Sequence, residues 1–359
     1  MFNRLKTFIQ THERALSAGA LFTGFIWDTL TLTRVDYLFE VVVLGSHISL
    51  VIVWIFLINL HDGGLLRFQP FSFLRRIAPI LMQFSFGALF SGLLVFYSKS
   101  ASLSMTLVYL GVFVLLLIGN EFFRGRYQRL VFQLSILFIA IASLAALYMP
   151  VITGSVAAWV FVTASILALI FILAFAAILH WIVPERVRPL RGWAMLSLGT
   201  LFVGLQFLYF ANIVPPVPLA LKERGVYHDI QRVNDQYRVV GEERTLFDWL
   251  TPEHEMHVYP SEPVFVFTSI FAPTNLNTQV AHVWEQYDSG EDTWVAVDRI
   301  PYSITGGRDN GFRGYTQKSF IVPGKWRVSV VTQRDQVLGR VYFEVKIATT
   351  PPSLFAEFI

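Results

Sequence analysis

Hydrophobic and polar positions divide this chain into two regimes. Up to residue 212, long apolar runs alternate with short polar gaps; beyond it, shorter β-branched and aromatic runs are separated by turn residues. The first regime predicts membrane-crossing helices over 15–32, 37–60, 77–96, 102–119, 130–149, 156–182 and 192–212, each near the ~20 residues that a hydrocarbon core requires. The second predicts strands over Val264–Phe271, Gln279–Gln286, Thr293–Ile304, Phe312–Ile321, Trp326–Gln333 and Val337–Ile347. Short strands at this spacing point to an antiparallel, immunoglobulin-like sandwich of about a hundred residues. The expected fold class is an α-helical polytopic membrane domain of seven spans followed by an all-β antiparallel sandwich.

Val214-Pro215-Pro216-Val217-Pro218 closes the seventh span, because proline cannot continue a helix. The expected division is a transmembrane domain over 1–214, a juxtamembrane linker over 215–250 and an exported sandwich over 251–359. Tyr227, Ile230, Val233, Tyr237 and Val240 recur at helical spacing among many charges and predict a short helix in the linker. Gly324 ahead of Lys325-Trp326-Arg327-Val328, and the polar stretch Thr332–Gln336, predict a terminal hairpin.

Composition agrees with a membrane protein: 54% of residues are hydrophobic and 15% charged, against ~25% charged in soluble domains. The net charge of +3 conceals a split, since residues 1–212 carry 14 basic and 7 acidic side chains whereas 213–359 carry 14 and 18. Twelve of the first fourteen bases fall in every second gap. Arg4, Lys6 and Arg14 precede span one; Arg67, Arg75 and Arg76 lie in 61–76; Arg124, Arg126 and Arg129 in 120–129; and Arg186, Arg188 and Arg191 in 183–191. Basic residues mark cytoplasmic loops, so the N-terminal segment reads as cytoplasmic and the C-terminal domain as external. The basic excess is then a topology signal and gives no reason to expect nucleic acid. Span one continues past Ser17-Ala18-Gly19-Ala20 and reads as a retained anchor, and Trp27, Trp159, Trp181 and Trp193 fall near span ends, as interfacial aromatics do. No inward gap exceeds 16 residues, too few for a folded effector domain, and the absence of cysteine removes disulfides and thiolate metal sites.

Four motifs in the second regime carry a resemblance: Ala281-His282-Val283-Trp284, Gly306–Tyr315, Pro323-Gly324-Lys325-Trp326-Arg327-Val328 and Leu338-Gly339-Arg340-Val341-Tyr342-Phe343. In this order they resemble the signatures of the exported module known as domain of unknown function 2914, over roughly 245–348. The region before them resembles the uncharacterised membrane domain often found beside it in Gram-negative bacteria. The resemblance implies a bacterial envelope protein with a periplasmic β-sandwich and brings no established activity.

Three sets of residues carry candidate chemistry. Arg308, Arg313 and Lys318, with Trp284 and Tyr315, suit an anionic glycan, a lipid head group or a partner loop, since guanidinium groups bind carboxylate and phosphate in bidentate fashion. The plain alternative pairs these bases with Glu285, Asp288, Glu291 or Asp298, or stacks them on Tyr315. Asp28, Arg34, Asp36 and Glu40 surround the turn between spans one and two, and His47 lies two turns (~10 Å) deeper, so a polar track leading toward Gln206 is expected. Lone intramembrane histidines are more often hydrogen-bonded packing residues. His254-Glu255-Met256-His257 lacks the i, i+4 histidine pair of a metalloprotease helix and, between Pro252 and Pro260, reads as a loop or strand entry; zinc would need His228 or His282 as well.

No nucleophile elbow, phosphate loop, dinucleotide fingerprint or covalent haem signature occurs, so no cofactor or metal is expected. The preferred reading is a non-enzymatic inner-membrane protein presenting a periplasmic sandwich to an anionic envelope polymer or to another membrane or envelope protein. The alternatives are a transporter or membrane enzyme acting on a lipid or small molecule around Asp28, Glu40 and His47, and a sensor that works through a cytoplasmic partner.

Overall fold

The structure, a computed structural model, describes residues 23, 25–32, 34–66, 69–100, 103–122, 126–234, 236–242, 253–308 and 310–359. It falls into two compact units, the first ending at Val217 and the second taking up the chain at Pro218. Among the described residues, the region before Pro218 holds seven helices: α1 Leu38–Asp62, α2 Gln69–Lys99, α3 Leu103–Phe122, α4 Leu130–Thr153, α5 Ala158–Ile182, the single turn α6 Pro184–Val187, and α7 Arg191–Phe210. Residues 25–31, ahead of α1, are also helical.

Five stretches are long and apolar enough to cross a membrane: Leu38–Asp62, Ile77–Lys99, Leu130–Thr153, Ala158–Ile182 and Pro184–Phe210. The span expected over 102–119 falls on α3, whose apolar part Leu107–Gly119 is shorter. Half of the span expected over 15–32, residues 15–22 and 24, lies outside the described residues. These helices are apolar on all sides, so the faces turned outward carry large hydrophobic side chains such as Ile152, Ile170, Ile178, Val203 and Phe207. Inside the bundle, aromatic rings interlock. Phe86 stacks on Tyr127 at 5.6 Å, and Tyr97, Tyr109 and Phe113 lie 5.0 to 5.4 Å apart.

Among the described residues, the second unit contains eleven strands: β1 Ala220–Tyr227, β2 Asp229–Val233, β3 Gln236–Glu242, β4 Glu253–Val258, β5 Val264–Phe271, β6 Asn277–Asp288, β7 Thr293–Thr305, β8 Phe312–Lys318, β9 Gly324–Thr332, β10 Val337–Ile347 and β11 Leu354–Phe358. They form three sheets, ordered β1-β5-β8, β4-β10-β9-β6-β7 and β11-β3-β2. Pairing is antiparallel except between β4 and β10, which run parallel; the expectation of a wholly antiparallel unit is corrected there.

Strand β5 explains the layering. All eight of its residues are buried. Val264 and Val266 join Met256, Trp284, Trp326, Val328 and Phe343 in one core, whereas the alternate residues Phe265 and Phe267 join Tyr227, Ile230 and Val239 in another. Period-two alternation sends neighbouring side chains to opposite faces, so one strand supplies both cores.

The helix expected in the linker is replaced by β1, β2 and β3. Tyr227, Ile230 and Tyr237 stand on three successive strands, and the turns between them reset the alternation into a spacing that mimics a helix. The terminal hairpin is present as β9 and β10; Asp335 at its turn takes φ 59°, and Thr332 N–H donates to Gln336 O.

Candidate functional site

The basic stretch from Arg308 to Lys318 does not form one surface. Arg313 and Lys318 both lie on β8, and their odd separation sends the side chains to opposite faces. Lys318 pairs with Asp298 and lies 5.7 Å from the Trp326 ring centroid. Arg313 donates from Nη1 to Ile359 O at 3.1 Å, and Arg308 lies over Phe312 at 5.5 Å. Tyr315, 41% exposed, packs against Tyr237 and Phe265. Trp284, expected at a binding surface, has no exposed area; its Nε1 donates to Thr316 Oγ1 at 3.1 Å, and it belongs to the core. Val280, His282 and Trp284 occupy one face of β6, and that alternation was the sequence signal for burial.

Gly306 and Gly307 serve the loop before β6. Gly306 N–H donates to Leu276 O at 2.9 Å and Gly307 N–H to Ala272 O at 3.1 Å. A Cβ on Gly306 would fall 1.7 Å from Pro273 O, so only glycine allows this approach.

The outward face of the five-stranded sheet gathers charged and aromatic side chains from four strands. Trp284 and Val328 pair into the core, which turns the next pair, Glu285 and Arg327, outward. Arg327 donates from Nε and Nη2 to the two Glu285 oxygens at 2.8 and 2.7 Å, and Ser329 Oγ donates to Glu285 Oε2 at 2.6 Å. Burial raises the Glu285 carboxyl, but the bonds from Arg327 and Ser329 outweigh it and hold the group below the usual carboxylate range. Above this fork, the Arg327 guanidinium carbon lies 4.5 Å from the Trp294 ring centroid. Tyr287 stands 5.2 Å and Tyr342 6.0 Å from the same indole. The half-buried Arg340 and the exposed Lys325 add charge beside the rings. Sequence reading missed this face because it assembles from β6, β7, β9 and β10, and only their register brings the residues together.

Two further polar groups lie within the β unit. His282 is fully buried, with Nε2 2.9 Å from Thr268 Oγ1 and 3.0 Å from Tyr302 Oη, and Nδ1 2.8 Å from Thr316 Oγ1; burial pushes its imidazole down to about 3. His228 lies between Glu262, 2.8 Å from Nδ1, and Glu242, 3.1 Å from Nε2. His257 adds its backbone N–H, 2.5 Å from Glu242 Oε1, and its Nδ1, 2.9 Å from Oε2. The segment His254-Glu255-Met256-His257 is therefore part of strand β4. Among the described residues, no group of three or more His, Asp or Glu side chains has the geometry of a metal site.

In the helical unit, the track expected from Asp28 toward Gln206 divides. The Asp28 carboxylate accepts from Ser91 Oγ at 2.5 Å and lies within electrostatic reach of His47, whose ring faces Phe84 at 5.8 Å. Arg34 forks onto Asp36 at 2.9 and 2.6 Å and covers Tyr37, Glu40 is buried, and Gln206 donates to Ser165 Oγ at 2.6 Å.

A second polar network, unforeseen in the sequence, joins other helix ends. Asn59 Nδ2 donates to Gln133 Oε1 at 2.8 Å, and Gln133 Nε2 donates to Tyr127 O at 2.6 Å. Arg186 Nε donates to Asn59 Oδ1 at 2.6 Å, while Arg186 and Arg75 lie 2.9 and 2.7 Å from the Asp62 carboxylate. Segments from three arginine-rich gaps thus meet at one end of the helical unit.

The family model described as "Protein of unknown function (DUF2914)" matches residues 277–345, preceded by the helical region. This match runs from the first residue of β6 into β10 and contains Glu285, Tyr287, Trp294, Lys325, Arg327, Arg340 and Tyr342. The search of curated proteins found no match. Among solved structures, the Pseudomonas fluorescens alkylpurine DNA glycosylase AlkC, bound to DNA containing an abasic site analog, aligns over 87% of this chain and 99% of its own at 10% identity and a TM-score of 0.21. A likeness that weak carries neither fold nor function.

Proposed function

We propose that this chain is a seven-span protein of the bacterial inner membrane that presents an immunoglobulin-like sandwich, on the periplasmic side, to an anionic envelope polymer or to a membrane or envelope protein. It acts by binding and not by catalysis, and the third sheet is an addition to the sandwich. The observation that carries this reading is the outward face around Arg327. The Trp294, Tyr287 and Tyr342 rings suit the apolar faces of sugar rings, and Lys325 and Arg340 suit acidic groups along such a polymer. The orientation draws on the gathering of Arg75, Arg186 and the start of α4 at one end, since basic segments that share a side share the cytoplasm.

Binding is tested by co-sedimenting the full chain in neutral detergent with isolated peptidoglycan sacculi. Trp294→Ala and Tyr342→Ala should each weaken retention about tenfold, as removal of an aromatic anchor does; unchanged retention refutes the polymer reading. Orientation is tested separately, because the chain contains no cysteine. Ser155→Cys should react with an impermeant maleimide in spheroplasts, and Arg188→Cys only after permeabilisation.

A second reading, transport or membrane catalysis of a lipid or small molecule, is favoured by the Asp28 and Ser91 pair with His47 beside it. Asp28→Asn together with His47→Leu should abolish activity on the substrate without loss of folding; indifference removes this reading.

A further inference from the structure

Strand β11, Leu354–Phe358, lies at one edge of the sheet ordered β11-β3-β2, and among the described residues no strand pairs with its outer side. Its register decides which groups that side offers. Tyr237 N–H donates to Ile359 O at 3.1 Å and Ile359 N–H donates to Tyr237 O at 3.0 Å, which makes these two residues a doubly bonded pair. The pairing runs on without a bulge, so Glu357 and Phe355 bond to Val239 and Gly241 in the same way. Leu354, Ala356 and Phe358 therefore turn their N–H and C=O groups outward, away from β3. Their side chains share the face opposite Phe355, where Leu354 is 47% and Phe358 57% exposed.

An open edge attracts another strand unless charge, proline or a bulge prevents it. The other sheet edges hold such devices. Lys222 is bulged out of β1 and Val297 out of β7, where Pro301 also interrupts the edge, and β2, β4 and β8 carry Arg232, Glu255 and Lys318. Strand β11 has one charge, Glu357, on a pair already bonded to β3.

The occupant follows from the symmetry of the strand. Laid antiparallel on a second copy with Ala356 opposite Ala356, β11 sets each Leu354 beside Phe358 of the other chain. All three outward residues then form doubly bonded pairs, about six hydrogen bonds in total, and each leucine packs on a phenylalanine. Glu357 falls opposite Phe355, so the two carboxylates do not face each other. A slip of two residues toward the N-terminus would set Pro352, which has no N–H, opposite Phe358.

We propose that β11 is the contact through which two copies of this chain associate, their third sheets joining into one of six strands about a two-fold axis. Five residues a side make a small interface, but on the membrane reading above both copies share one bilayer, and this raises their effective concentration. The contact leaves the face around Arg327 free, since that face lies on the five-stranded sheet. Association and retention on sacculi therefore succeed or fail independently.

The test uses the full chain, whose lack of cysteine allows single labels. In liposomes, a short bifunctional maleimide should join Ala356→Cys into a covalent dimer. Gln231→Cys, on β2, would lie five strand spacings, or ~24 Å, from its counterpart and should stay unlinked. Ala356→Pro removes an N–H that points away from β3, so the fold keeps its ladder while the self-pairing loses its central bonds. Its dimer dissociation constant, from analytical ultracentrifugation in neutral detergent, should rise at least about tenfold with the thermal midpoint unchanged. Phe358→Lys, at an exposed position, should weaken the dimer likewise by charging the edge. A monomeric parent chain, equal cross-linking at 231 and 356, or a dimer undiminished in either variant each overturns the assignment.

Discussion

Arg186 Nε lies 2.6 Å from Asn59 Oδ1, a contact across 127 residues of sequence. Asn59 has no exposed area and also donates to Gln133, so it connects α1, α4 and the turn before α7. Asn59→Leu removes both partners at once and leaves Gln133 and one Arg186 donor unsatisfied. We expect a loss of about 1–2 kcal/mol, read as a lower thermal midpoint of the full chain in detergent. An unchanged midpoint would show that the network does not hold these helices.

His282 makes the β unit acid-sensitive. Its imidazole is held neutral, with burial moving it from the ordinary 6.5 to about 3. The unfolded chain therefore binds a proton that the folded one refuses, so this contribution is complete above pH 6.5 and declines as pH falls toward 3. The slope should approach ~1.4 kcal/mol per pH unit. Denaturant titrations followed by fluorescence of the buried Trp284 and Trp326 measure it, and His282→Leu should lower stability by about 2 kcal/mol at neutral pH while flattening the acid slope.

Glu242 acts in the same direction. Burial raises its carboxyl, but the His257 side chain and backbone N–H, with His228, outweigh this and hold it below 4.5. Its stabilisation is present above that value and lost as pH falls through the lowered one. Glu242→Gln should cost about 1–3 kcal/mol at pH 7, and the gap to the parent protein should close in acid. A gap independent of pH would contradict a role for the charge.

Gly306→Ala should cost more than ~3 kcal/mol, since its Cβ would meet the Pro273 carbonyl group and backbone cannot yield as a side chain does. Gly290→Ala, where the nearest atom is an Asp288 carboxylate oxygen at 3.2 Å, should cost under ~1 kcal/mol. Urea midpoints of the two variants decide it.

Where alternation and burial coincide, strands were legible: β5 over Val264–Phe271 and β10 over Val337–Ile347 have the bounds expected from the sequence. Strands β1, β2 and β3 were not, because Lys222, Glu223 and Arg224 on β1 and Gln231 and Arg232 on β2 place charge where a strand signal would need apolar residues. The helical runs were visible by hydropathy alone, but Asn59 and Gln133 were absorbed into them, since a run average hides two polar side chains. The face around Arg327 depends on register between strands, which composition does not encode. The arginine stretch on β8 misled for the opposite reason: residues close in sequence were separated by the pleat.

The double burial of β5 separates the unit of recognition from the unit of folding. The segment matched by the family model, 277–345, contains β6 to β9 and most of β10 but neither β5 nor β1. Cut out alone, it would leave Trp284, Val328 and Phe343 facing water on one side of an unfilled sheet. The residues matched by the family model therefore depend on strands outside its bounds, and a fragment meant to fold must begin no later than β1. Because β5 supplies both cores, neither can be lost without exposing the other, and the eleven strands should unfold as one cooperative body.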